Sequence, residues 1–358
     1  MSLRLALAVL PALLLAGCRG GAAPTAGGGT AAPASGSAAP AARTPAAVPA
    51  DYAAARARTE REGRAALTLL LDGDLAELHA WFQPALAELA SIELLTQVRA
   101  QLTAAGPVTR GPEAVFLTPA ARGYLGDLVT ASGTVTASMA LDDAGKLAGL
   151  TFVPRPPLPP DPHADRPLRA RLRLPFDGQW FVFWGGPSAT VNYHVVAPDQ
   201  RHAYDLVIWK DGGTHTGDGT RNEQYHCWGQ PVLAPAAGTV VAVENGLPDN
   251  PPGKMDASAK AGNHVVLDLG DGAHALLAHL QQGSVAVRLG DRVTAGQRLG
   301  LTGNSGNTSE PHLHLHLQDG PTLFRGAGLP VWFDDACVDG QPPARVAPVH
   351  GQFVEHCR

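Results

Sequence analysis

The chain has 358 residues, enough for two domains and a sizeable core. Its formal net charge is only -5, from 27 basic and 32 acidic residues, which excludes a nucleic-acid surface or a polybasic membrane patch. Every histidine except His79 lies beyond residue 160, so the residue type that most often binds metals and moves protons is concentrated in the second half.

The N-terminus reads as an address. "MSLRLALAVLPALLLAGC" has one early arginine, an apolar run from Leu5 to Leu15, and small residues leading into Cys18. The run is shorter than the roughly 20 apolar residues of a spanning helix, so residues 1–17 are expected to be a signal peptide. Leu15-Ala16-Gly17-Cys18 resembles a bacterial lipobox, which implies a lipidated Cys18 and a place in the cell envelope, on the periplasmic or extracellular side of a bacterial membrane. An ordinary secretory signal is the alternative, and it too takes the chain out of the cytoplasm. Up to residue 51 the chain is almost only Ala, Gly, Pro, Ser and Thr, a composition that buries no core and reads as a tether. Its ends would lie about 30 Å apart.

Disulfides persist outside the cytoplasm. Of the three remaining cysteines, Cys337 is expected to pair with Cys357 and staple the C-terminal tail, leaving Cys227 free.

Residues 52–153 are expected to form a small α+β domain. "YAAARARTEREGRAALTLLLDGD", "LAELHAWFQPALAEL" and "SIELLTQVRAQLTAAG" place apolar residues three and four apart, as helices do. Asp74 and Ser91 are N-cap candidates and Gly106 a stop. "EAVFLTP", "GTVTASMALDD" and "GKLAGLTFVP" then alternate with period two, with Asp143-Ala144-Gly145 as a turn. This order of helices and then strands resembles the cone-shaped nuclear-transport-factor-like domains. No convergent set of titratable residues occurs here, and His79 reads as a surface or core histidine. Residues 154–167, "PRPPLPPDPHADRP", read as a stiff linker.

Residues 168–358 alternate strand-like segments with glycine turns: "FVFWGG", "NYHVV", "AYDLVIW", "PVLAPAAGTVVAV", "NHVVLDL", "HALLAHL" and "GQRLGLTG". The absence of a long amphipathic pattern predicts an antiparallel β architecture. The stretch from Lys210 to Gly229 exceeds the usual connection of about 4–6 residues and reads as a lid or an unstructured loop. In "EPHLHLHLQDG", a strand would put His312, His314 and His316 on one face and Leu313, Leu315 and Leu317 on the other. With the leucines in the core, the histidines face a cleft.

"APAAGTVVAV", "GNHVVLDLGDGAHALLAHL" and "VRLGDRVTAGQRLGLTGNSGNTSEPHLHLHL" together resemble the lysostaphin-like zinc metallopeptidases over roughly residues 190–320. The resemblance implies a mainly β catalytic domain, a small antiparallel β-sandwich, that hydrolyses peptides of the bacterial cell wall with one Zn²⁺. Matched position by position, His314 corresponds to the family's zinc ligand, and His312 and His279 to its catalytic histidines. His316 falls where many members carry an acid and stays unassigned, either cleft-lining or a bland surface residue.

The first ligand pair departs from the family's HxxxD, because "RHAYD" puts only two residues between His202 and Asp205. Residues three apart on a strand point to opposite faces. A hairpin turning at Ala197–Gln200 would instead pair Val196 with Arg201 and set His194 diagonally from Asp205, about 7 Å away. His194, Asp205 and His314 are therefore the expected metal ligands, with His202 kept as the alternative that a one-residue slip would favour. Asn192 is a candidate to orient a neighbouring group. His215, His226, His264, His274 and a lone Cys227 have no matched role.

Two imidazoles and one carboxylate suit an open zinc site. No HExxH occurs, so no glutamate base is expected and His312 and His279 are left to handle the proton and the oxyanion. The expected function is a monomeric zinc endopeptidase acting on peptidoglycan peptides and held to the membrane through Cys18. The alternative is a catalytically silent regulator or cell-wall binding module of the same fold, which loss of a ligand or of the "AHL" histidine would betray.

Overall fold

A computed structural model describes residues 45–118 and 121–357. The expected signal peptide, Cys18 and most of the tether lie outside the described residues. Among these, no helix is long and apolar enough to cross a membrane.

The N-terminal part packs four helices on one sheet. Helix α1 (Ala50–Leu71) buries Tyr52, Ala66, Leu67 and Leu70. Gly63 on the same face lies so close to the Tyr124 ring that a Cβ would sit 2.3 Å from it, so only glycine fits. Helix α2 (Leu75–Ala80) is capped by Asp74, which accepts from the Ala76 amide, and α4 (Ile92–Thr103) by Ser91, which accepts from Leu94. Where one helix was expected across "LAELHAWFQPALAEL", there are two. Pro84 opens α3 (Pro84–Leu89), and a proline disfavours helical geometry in the residue before it. The sheet runs β1 (Thr109–Thr118), β2 (Ala121–Thr130), β3 (Gly133–Leu141) and β4 (Leu147–Arg155), all antiparallel and in chain order. Strand β2 has no counterpart in the sequence reading, because Gly123, Gly126 and Asp127 break its alternation.

The C-terminal part is mainly antiparallel β, as expected. Its strands are β5 (Gln179–Trp184), β6 (Tyr204–Val207), β7 (Pro231–Leu233), β8 (Gly238–Glu244), β9 (Asn263–Asp268) and β10 (His274–Leu280). They continue with β11 (Arg292–Val293), β12 (Arg298–Leu301), β13 (Leu313–Gln318), β14 (Gly328–Leu329), β15 (Phe333–Val338), β16 (Ala344–Val346) and β17 (Phe353–His356). One large sheet has the order β11-β8-β9-β10-β13-β6-β5-β17-β15-β16, with β14 beside β13, and β12 pairs with β7 apart from it. One face of the large sheet carries the main core, to which β6 gives Tyr204 and Leu206, β10 gives Ala275 and Leu277, and β13 gives Leu313, Leu315 and Leu317. Cys337 is bonded to Cys357, tying β15 to the end of the chain, and Cys227 is free and buried.

The two parts share a second apolar cluster. Tyr52 of α1 meets Phe181, Trp209 and Phe353 edge-on, with ring centroids 5.1 to 5.3 Å apart. The helical part therefore leans on the sheet face opposite the main core, the face that also carries Asp205 and His314. The proline-rich segment is fastened as well, with Asp161 2.9 Å from His202 and His163 2.9 Å from Asp319.

Candidate metal centre

Five of the residues singled out in the sequence come together on that second face. Alternation along β13 turns His314 and His316 away from the leucine core, and His314 pairs across the ladder with Asp205 on β6 and Ala278 on β10. The ligand atoms of His194, Asp205 and His314 lie within 4.8 Å of one another, as do those of His279, His312 and His314.

The expected hairpin around residues 197–200 is not present. Tyr193–Val196 form a 3-10 turn, so the pairing of Val196 with Arg201 and of His194 with Ala203 does not exist. The cause is Asn192, whose side-chain oxygen accepts from the His194 amide at 3.2 Å and starts the turn. The turn still delivers His194 to Asp205, with Nε2 3.6 Å from Oδ2. His202 points elsewhere, to Asp161.

His279 reaches the group by a different device. Strict alternation along β10 would aim it into the core beside Leu277. The β9–β10 register instead shifts between Leu277 and Leu280, and His279 sits at φ 61°. A bulge of this kind rotates one side chain out of its parity. His279 thereby comes to 4.8 Å from the His312 ring, centroid to centroid. A left-handed backbone at a non-glycine residue is strain held in place by its surroundings, here the Ala261 carbonyl and the Gly303 amide that bind its backbone.

Each imidazole has its outer nitrogen engaged. Asn192 gives its amide N–H groups to the carbonyls of Gly186 and Ala203, both at 3.1 Å, so its oxygen accepts from His194 Nδ1–H at 2.9 Å. His279 Nδ1–H donates to Ser305 O at 2.9 Å, and His312 Nδ1–H to Glu310 O at 2.9 Å. Cys227, its thiol pushed up to about 12 by burial, donates to Pro311 O and steadies the residue before His312.

The electrostatics follow from burial. Burial drives His194 down to about 4 and His279 well below its ordinary value. Burial works most strongly against a charged His312, but the Asp205 carboxylate together with the Glu310 carbonyl and carboxylate outweighs it and raises His312. Burial would raise Asp205, yet His194, His312 and His314 around it hold the carboxyl well below its usual range. His316, wholly buried, is lowered to about 3 by burial and then by His314.

This set fits a cation. With Nδ1–H given to Asn192, His194 presents a lone pair to a carboxylate oxygen, two acceptors facing each other. A cation between them satisfies both, and neutral imidazoles with a carboxylate are donors that zinc accepts.

Sequence reasoning missed Tyr193. Its hydroxyl donates to Asp205 Oδ2 at 3.4 Å, and its half-exposed ring lies against His194 at 3.9 Å. Trp184 stands edge-on to it at 5.2 Å, with Phe116 of the helical part 4.9 Å beyond. An aromatic next to a ligand candidate was the available signal. His215 and His226 lie in the Lys210–Gly229 stretch, which folds around a short 3-10 turn, and neither joins a metal-binding group among the described residues. His264 gives Nδ1 to the Gly262 carbonyl, and His274 begins β10 at its far end.

Residues 223–324 match the model of peptidase family M23. That span holds His279, His312 and His314, while His194 and Asp205 precede it. The chain is 35% identical over 157 residues to the peptidoglycan DD-endopeptidase ShyA of Vibrio cholerae, covering 44% of this chain and 29% of that protein. It is 31% identical over 110 residues to the cell division protein DipM of Caulobacter vibrioides, covering 30% and 16%. The chain thus spans less than a third of the length of the curated relatives it matches. Lysostaphin of Staphylococcus simulans is 19% identical, over 44% of this chain and 49% of that one, with a TM-score of 0.27.

Proposed function

We propose that this chain is a zinc-dependent endopeptidase of the M23 type that hydrolyses peptide bonds in peptidoglycan. The observation that carries the reading is the convergence of His194 Nε2, Asp205 and His314 on one point, with His279 and His312 beside it. Its likeness to a peptidoglycan DD-endopeptidase supports the choice of substrate.

On this reading His194, Asp205 and His314 hold one zinc ion, which supplies Lewis acidity toward water and toward a peptide carbonyl. The protein does the rest. His279 and His312 each spend their Nδ1–H on a backbone carbonyl, so each turns Nε2 inward. That of His279 can take a proton, while that of His312 faces Asp205 Oδ1 at 3.5 Å, which favours a protonated ring able to donate to a developing oxyanion. Asp205 ties the set together, because Tyr193, His312 and His314 all approach its carboxylate. Tyr193 and Trp184 form an aromatic wall along which a peptide can lie.

The same reading makes residues 52–153 a companion domain and residues 154–167 a docked connection, and puts the protein in the cell envelope with Cys18 as its lipid anchor. It is tested by zinc content and by release of peptides from purified peptidoglycan, before and after chelation. One zinc per chain and hydrolysis restored by zinc are expected. A zinc-loaded protein that releases nothing would favour the silent binding module.

A further inference from the structure

Behind His314 lies a row of polar side chains that the chemistry above does not use. His316 is wholly buried, as is Gln318, two and four residues along the same strand and on the same face. Buried polar groups of this kind need partners, and the partners here determine one another.

The row is read from its far end. The Gln318 amide nitrogen lies 2.5 Å from Gly320 O and 2.8 Å from Thr322 O. Two carbonyls accept there, so this end of the amide must be the NH₂ and the other end the oxygen. Gln318 Oε1 lies 3.1 Å from His316 Nε2, which must therefore carry the proton. A neutral imidazole has one N–H, so His316 Nδ1 is an acceptor. It lies 2.9 Å from His314 Nε2, which must donate. The remaining nitrogen of His314, Nδ1, is then a lone pair, and it lies 2.9 Å from Asp205 Oδ1.

We propose that His316 and Gln318 are positioning residues that fix the tautomer of His314, through a neutral relay anchored on the Gly320 and Thr322 carbonyls, so that Nδ1 is its metal-binding atom. The proposal rests on the zinc reading above and goes beyond it. His316 touches neither metal nor substrate. Partners on the outer nitrogen of a ligand histidine are commonly carboxylates or carbonyls, which add charge or a dipole; this one is an imidazole whose proton is assigned by an amide. The other ligand histidine has the same arrangement with one part fewer, since Asn192 is held by two carbonyls and accepts from His194 directly. Both ligand rings are thus oriented by carboxamides, directly for His194 and through His316 for His314, and no carboxylate contacts the outer nitrogen of either.

The test uses the full chain and two readouts. Long-range ¹H–¹⁵N spectra of histidine-labelled protein, metal-free, report tautomers directly. His316 with Nε2–H and His314 with Nε2–H are expected, and a His316 ring protonated on Nδ1 would overturn the relay. Zinc affinity, by competition with a chromophoric chelator, gives the energetic side. His316→Leu should weaken zinc about 10–100-fold, and Gln318→Leu should weaken it less. His316→Asn, whose Oδ1 takes the place of Nδ1, should recover most of the affinity. A folded His316→Leu that binds zinc as the wild type does would also overturn the relay. Wild-type protein that binds no zinc would instead sink the zinc reading itself, so the two failures are distinct. If His316→Leu does not fold, the wild-type spectra still decide.

Discussion

His202 Nε2 lies 2.9 Å from Asp161 Oδ2, so the histidine nearest Asp205 in sequence is committed to the proline-rich segment. Arg201 approaches the same carboxylate at 3.9 Å. His194, eleven residues before Asp205, stands 3.6 Å from it instead. Zinc stoichiometry on the full chain should therefore fall to near zero in His194→Ala and stay at one in His202→Ala. Full loading of His194→Ala together with loss in His202→Ala would exchange their roles.

His279 offers a clean separation of chemistry from metal binding. Its backbone sits at φ 61°, a conformation asparagine tolerates better than most residues, so His279→Asn disturbs the bulge least. The variant should keep one zinc and lose about 10²–10⁴-fold in turnover on peptidoglycan, the usual share of a proton-transferring group. Wild-type turnover in a zinc-loaded His279→Asn would remove His279 from the chemistry.

Tyr52 joins the two halves, packed on Phe181, Trp209 and Phe353 while 3% exposed. Tyr52→Ala should cost about 3–5 kcal/mol in denaturant unfolding, the range for removing a buried aromatic ring. A fragment beginning at residue 168 would expose Phe181, Val207, Trp209 and Phe353 together, and should aggregate where the full chain stays monodisperse in size-exclusion chromatography. A soluble, monomeric fragment would mean that the shared cluster contributes little.

His350 sits at the same junction, with Nδ1 2.6 Å from Phe183 O and Nε2 2.9 Å from Val115 O. Burial lowers its pKa by more than these two carbonyls raise it. The folded chain therefore favours the neutral ring, while the unfolded chain gains a proton near pH 6.5. The resulting stability is fully present above about pH 6.5 and is lost as pH falls toward the folded value. Unfolding free energy measured from pH 7.5 to 5 should fall less steeply in His350→Gln than in the wild type, by up to about one proton, or 1.36 kcal/mol per pH unit. An unchanged slope would show that His350 does not titrate on unfolding.

Much of the chain was legible because its signals are local. The caps at Asp74 and Ser91 need only a side chain two or three residues from an amide, and both form. Parity along "LHLHLQ" needs only the pleat, and it sends the leucines to the core and His314 and His316 to the other face. The missed strand β2 and the 3-10 turn at Tyr193 have weaker local codes. Alternation in β2 is broken by glycines, and "NYHVV" reads as extended until Asn192 is seen to cap a turn while held by the Ala203 carbonyl eleven residues away.

The sequence by itself determined which histidines share a strand face and that the C-terminal part is antiparallel β, while of three possible cysteine pairings the structure selects Cys337–Cys357. The strand face and the antiparallel architecture follow from alternation and glycine punctuation. The tertiary structure alone decided how His194 and Asp205, eleven residues apart, come within 3.6 Å, because the turn that carries His194 is held by carbonyls of Gly186 and Ala203. It also decided where His279 points. Strand parity assigns that ring to the core, and a bulge at the register shift between β9 and β10 turns it to His312 and His314. Such a shift belongs to two paired strands at once, so neither strand's sequence contains it.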